Sequence, residues 1–153
     1  MKTLKKIVTL VILVCSMNVY SNDSISCLSE AAYHEARGDG ISGMQAVMMV
    51  IINRTKYPHI FSKSICGVVH QKGQFSYLQK KHRKYDSKLK KEVDKLAKSM
   101  YNAYLQNDSE PKNLSWARQA LFYNTVKFGK GFVFIKQEKN HLFYTLRKIH
   151  KYG

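Results

Sequence analysis

Between Leu89 and Tyr104 the apolar residues fall every three or four positions, at Leu89, Val93, Leu96, Ala97, Met100, Ala103 and Tyr104. Lys88, Lys90, Lys91, Lys95 and Lys98 fill the other faces, so the segment predicts an amphipathic helix of about five turns. A second helix is expected over Leu28 to Arg37, where Leu28, Ala31, Ala32 and Ala36 form one stripe. Ser26 is placed to cap its start, and Gly38-Asp39-Gly40 ends it. Met44 to Ile52 is apolar nearly all round, the pattern of a helix in the middle of a core, with Asn53 and Arg54 ending it before the loop at Pro58. Ala120 to Thr125, Gly131 to Lys136 and His141 to Leu146 are short, aromatic and partly alternating, with Gly129-Lys130-Gly131 as a turn. They predict a small antiparallel sheet, and helices followed by strands predict an α+β domain.

The amino end follows a different pattern. Lys2, Lys5 and Lys6 precede an apolar run from Ile7 to Val14, and Val19 and Ser21 stand at the spacing signal peptidase accepts. Residues 1–21 are therefore expected to be a secretory signal peptide cleaved after Ser21, and residues 22–153 a single domain. The apolar run is short for a span of about 20 residues; an uncleaved anchor is the alternative. Export places the protein in the periplasm, the cell wall or the extracellular space.

Charge and cysteines extend this picture. Removing the leader leaves 23 basic side chains against ten acidic ones, a net charge of about +13. Such a balance favours polyanions, and outside the cytoplasm these are wall polymers, lipid head groups or extracellular nucleic acid. No base-reading motif accompanies it, so no specific nucleic acid is expected. The run Lys80-Lys81-His82-Arg83-Lys84 reads as solvated surface or as an adhesive patch for anionic wall or membrane polymers. Cys15 leaves with the leader, and Cys27 and Cys66 remain as a pair in an oxidising compartment, which predicts a disulfide. No CxxC or HExxH spacing is present, and neither a metal nor another cofactor is expected.

Acids are few, and Glu35 stands out among them. It lies in the last turn of its predicted helix, between Tyr33-His34 and Arg37 and beside a glycine-flanked loop. A helix C-terminus and apolar surroundings disfavour carboxylate charge, which is what a general acid at neutral pH needs. Residue pattern alone does not separate that role from an ordinary surface glutamate.

The blocks Ala32-Tyr33-His34-Glu35-Ala36-Arg37-Gly38-Asp39-Gly40, Gly43-Met44-Gln45-Ala46-Val47 and Asn53-Arg54 resemble the opening of the SleB-type cell-wall hydrolases. Cys66-Gly67-Val68-Val69, Gln71-Lys72-Gly73-Gln74-Phe75-Ser76, Ala120-Leu121-Phe122-Tyr123-Asn124 and His141-Leu142-Phe143-Tyr144 continue the resemblance in family order. Phe132 and Phe134 stand where the family often has tryptophan, and Lys139 where it often has glycine. The resemblance implies a lysozyme-like catalytic domain that cleaves peptidoglycan glycan strands, usually as a lytic transglycosylase, with Glu35 as its catalytic acid.

Around Glu35, Tyr33, Asp39, Gln74, Phe75, Ser76, Tyr123 and His141 are the candidate substrate contacts. An amide, a ring face and a hydroxyl at residues 74–76 suit an N-acetyl sugar, and a loop is where such groups are commonly carried. Phe75 packed inward is the structural alternative, as core packing is for Tyr123 and a purely structural place is for His141, while Trp116 reads equally as a sugar-stacking ring or as core. Asp39 is also the nearest second carboxylate, which a muramidase would use and a transglycosylase would not. An amidase, or a noncatalytic basic wall-binding protein, completes the alternatives. A monomer is expected.

Overall fold

The chain is helical from 21 to 36 (α1), turns through a 3-10 segment at Arg37–Asp39, and re-enters a helix at Gly40–Thr55 (α2). The computed structural model describes residues 21–79, 85–106 and 110–150. The expected leader falls outside them apart from Ser21, as does the basic run 80–84. Helix α1 begins earlier than predicted, and Ser26 lies inside it. Ser24 is buried, Ile25 and Cys27 pack against the core, and Cys27 is bonded to Cys66. These tertiary contacts outweigh the local preference of Ser26 for a cap.

Helix α2 runs through the centre of the core, as its all-round apolarity requires: Met44, Ala46, Val47, Met48, Val50 and Ile51 are fully buried. Each large side chain so buried contributes roughly 1.5–3 kcal/mol. Asn53 and Arg54, predicted to end the helix, occupy its buried last turn. Asn53 Nδ2 donates to the carbonyls of Ala117 (2.8 Å) and Ala120 (3.0 Å), tying α2 to the 3-10 segment Lys112–Gln119.

Helices α3 (Ile65–His70) and α4 (Ser87–Leu105) pack against α2. Ser64 caps α3 through the Gly67 amide, and Asp86 caps α4 through the amides of Lys88 and Leu89. The predicted amphipathic helix is α4, with Val93, Ala97, Met100 and Tyr101 inward. A polar seam joins it to α1. Lys90 Nζ reaches Asp94 (2.5 Å) and Glu30 (3.3 Å), Ser29 donates to Asp94, and the Tyr85 hydroxyl donates to Glu30. The disulfide holds α1 to the start of α3, its Cα atoms 5.3 Å apart.

Three antiparallel strands follow: β1 (Phe122–Asn124), β2 (Phe132–Glu138) and β3 (His141–Leu146), ordered β1-β3-β2. Tyr123 pairs with Phe143 and Glu138 with His141, and a bulge interrupts β2 between Phe134 and Lys136. Alternation puts Tyr123, His141 and Phe143 on one face of the sheet, with Phe143 fully buried against Trp116. Phe122, Phe132, Phe134 and Tyr144 share the other. A short helix, α5 (Arg147–His150), ends the described chain. The architecture is α+β, as the order of patterns predicts. No helix among the described residues is long and apolar enough to cross a membrane.

Candidate active site

A cleft of about 570 Å³ opens where the end of α1, the end of α2, the loop after α3 and the sheet meet. Glu35 comes from the last turn of α1, and Arg54 from the last turn of α2. Gly73, Gln74, Phe75, Ser76 and Gln79 form the loop side; Tyr123, Asn124, Thr125 and His141 form the sheet side. Gly73 has φ +78°, a conformation glycine adopts without strain, and it turns the chain from α3 into the cleft wall. Six of the eight residues proposed from sequence therefore converge: Glu35, Gln74, Phe75, Ser76, Tyr123 and His141.

Tyr123 and Glu35 touch. The Tyr123 hydroxyl donates to Glu35 Oε2 at 3.3 Å. Burial, and next the negative charge of Glu35, push the Tyr123 phenol well above the usual value of 10, so it stays protonated as the donor. Phe75 is buried, with its ring 5.8 Å from the Arg54 guanidinium carbon, while Ser76 is exposed and Gln74 partly so. Phe75 is thus packing, and its neighbours carry the polar groups.

Tyr33 and Asp39 do not line the cleft. Tyr33 is buried, and its hydroxyl accepts from the Asp86 amide at 2.8 Å. It points along the helix face that meets α4. Asp39 is 6 % exposed and lies behind the cleft wall. Its Oδ1 accepts from Asn140 Nδ2 at 2.6 Å, and its Oδ2 accepts from His141 Nδ1–H at 2.5 Å. The 3-10 turn over Arg37–Asp39 is what aims this carboxylate at the β2–β3 turn and away from the cleft.

The Asp39 contact therefore reaches the site through other residues. Asp39 fixes the ring of His141; that ring packs T-shaped against Tyr123, with 5.1 Å between centroids; Tyr123 holds Glu35. Gly43 makes room for the arrangement, since a Cβ there would lie 2.3 Å from the Asp39 Cβ. Asp39→Asn is expected to lower turnover about ten- to a hundredfold by loosening Glu35, with KM little changed. Steady-state kinetics of the reaction carried out in the cleft, with a melting curve as control, checks this. An equal rise in KM would assign Asp39 to binding instead.

Sequence reasoning passed over Arg54 as a helix end. It is 4 % exposed and its Nε–H donates to the Leu121 carbonyl at 2.8 Å. Burial lowers its pKa from 12.5 to about 10, which leaves it charged at neutral pH. The sequence signal was its place directly after the apolar run of α2, where a side chain that continues the helix must also enter the core. Asn124, Thr125 and Gln79 were also missed as cleft residues; nothing in their local pattern distinguishes them from turn residues.

A small α+β domain thus presents a carboxylate in an open polar cleft. The chain belongs to the Cell Wall Hydrolase family, whose model matches residues 38–144. That match opens downstream of Glu35 and takes in Asp39, Arg54, residues 74–76, Tyr123 and His141. Over 52 residues, 34 % of this chain, the sequence is 40 % identical to the spore cortex-lytic enzyme of Bacillus subtilis (strain 168). The aligned stretch is 17 % of that relative's length, so the chain spans only a small part of it. No solved structure matches the chain.

Proposed function

We infer that the protein is an exported peptidoglycan-cleaving enzyme, a lytic transglycosylase whose acid is Glu35. One observation carries the choice of reaction: Glu35 is the only acidic residue among the described residues lining the cleft, and Asp39 is turned away from it. A retaining hydrolase holds two carboxylates about 5 Å apart across the bond it breaks, and an inverting one needs a second carboxylate to activate water. A transglycosylase needs one.

In this reading Glu35 gives its proton to the glycosidic oxygen between N-acetylmuramic acid and N-acetylglucosamine as the bond lengthens towards an oxocarbenium-like state. The resulting carboxylate then accepts the proton of the muramyl C6 hydroxyl, whose oxygen closes on C1 to give the 1,6-anhydro ring. The proton lost in the first step is regained in the second, and no water is consumed. Tyr123 holds the carboxyl in place through both steps, and Gln74, Ser76 and Asn124 supply amide and hydroxyl partners for the N-acetyl sugars.

Mass spectrometry of the products from purified peptidoglycan tests the reading. Anhydromuropeptides are expected. Reducing sugar ends would make the protein a muramidase, released stem peptides an amidase, and intact wall with bound protein a noncatalytic binder.

A further inference from the structure

The buried arginine of the cleft has unused bonding capacity. A guanidinium offers five N–H donors. In Arg54 the Nε–H is taken by Leu121, and Nη1 finds no acceptor among the described residues. None of the ion pairs formed by the described residues includes it. The rings of Phe61, Phe122 and Phe75 lie 5.0, 5.5 and 5.8 Å from its central carbon. These rings hold the cation through its π contacts but do not serve as carbonyl-type acceptors for its N–H edge.

An arginine serving only to anchor β1 would be expected to spend its donors on backbone carbonyls. This one spends its Nε–H there, its buried Nη1 has no acceptor among the described residues, and its side chain is one of those that line the cleft. A buried cation with open donors is costly unless an anion completes it, and the planar fork of arginine suits a carboxylate better than any neutral oxygen.

We propose that Arg54 is a carboxylate-recognising residue of the cleft, binding an acid group of the glycan substrate beside the bond that Glu35 cleaves. The inference rests on the glycan-cleaving reading of the cleft and adds a specificity element to it. Two groups of the substrate class carry the required chemistry: the lactyl carboxylate of muramic acid where the peptide has been removed, and a carboxylate of the stem peptide where it has not. Arg54 binds and orients; it transfers no proton.

The test uses the full-length mature protein and three probes, followed by nuclear magnetic resonance at the Arg54 Nε–H signal, which is assigned by its loss in Arg54→Lys. N-acetylglucosamine has no carboxylate, N-acetylmuramic acid has the lactyl one, and N-acetylmuramoyl-L-alanyl-D-isoglutamine has a peptide carboxylate with the lactyl group amidated. At least one acidic probe is expected to bind about tenfold or more tightly than N-acetylglucosamine and to shift the Arg54 signal. Which one does so identifies the source. Equal affinities for all three, or tighter acidic binding that leaves the Arg54 signal unmoved, overturns the proposal.

The Arg54 signal can also be assigned by through-bond correlation to the residue's own backbone, so the wild-type measurements stand even if Arg54→Lys fails to fold. Repeating them in Glu35→Gln separates the two readings. Probe discrimination with undiminished cleavage in that variant removes Glu35 as the acid and leaves Arg54. Lost cleavage without discrimination removes Arg54 alone.

Discussion

Glu35→Gln is expected to lower cleavage of peptidoglycan by about a thousandfold, within the 10²–10⁴ range that a positioned acid contributes. Glutamine keeps the size of the side chain and an oxygen for the Tyr123 hydroxyl, so the contact at Tyr123 survives the exchange. What it cannot do is deliver a proton to the leaving oxygen. The expected variant therefore has a wild-type circular dichroism spectrum, melts normally, sediments with insoluble wall and releases almost no soluble fragments. Full activity in a folded Glu35→Gln protein would remove the acid assignment. The cleft offers no second acidic residue among its described lining to take over the role, which is why the loss is expected to be deep.

Opening the disulfide should produce the largest change in stability. Cys27 and Cys66 are 39 residues apart in sequence. Closing a loop of that length restricts the unfolded chain by about 3–4 kcal/mol. For a domain of this size, that corresponds to a fall in melting temperature of roughly 10 °C or more on reduction or in the Cys27→Ser/Cys66→Ser variant. The bond also ties together two elements that lead into the cleft: α1 carries Glu35, and α3 leads directly into the loop of Gln74 and Ser76. Activity should then decline at temperatures below the global melt, as α1 and α3 separate. Scanning calorimetry beside an activity–temperature profile, with and without reductant, checks both statements; coincident curves would mean that the bridge is not needed to hold the cleft.

Much of the scaffold could be read from residue pattern because its elements obey simple periodicities. Helix α4 alternates lysines with a buried stripe, and α2 is apolar nearly all round from Met44 to Ile52. Local patterns do not encode direction after a turn, and the misplaced expectations lie there. Asp39 follows the end of α1, and three residues of 3-10 conformation turn its carboxylate into the interior. Tyr33 lies two residues from Glu35, so it points to a different side of α1 and meets Asp86. Arg54 was hidden for another reason. An arginine at the end of an apolar helix looks like a polar stop, and only the Leu121 carbonyl and the rings of Phe61, Phe75 and Phe122 around it show that it is buried. Glu35 stands out from its place at a helix end, but its grouping with Gln74, Tyr123 and His141 comes from the family resemblance, since no local rule brings them together.

Gly43 faces none of the groups that would handle substrate, yet the absence of a side chain there allows the Asp39 carboxylate to sit where it does. Adding one methyl group would press on Asp39 and, through it, on Asn140 and His141. A single change inside α2 would thus register in an assay as an injury to the cleft, with every residue that lines it still in the sequence. Screens for inactive variants of this protein should therefore yield hits along the hidden side of α2 as well as in the cleft, and a variant's distance from Glu35 will be a poor guide to its effect.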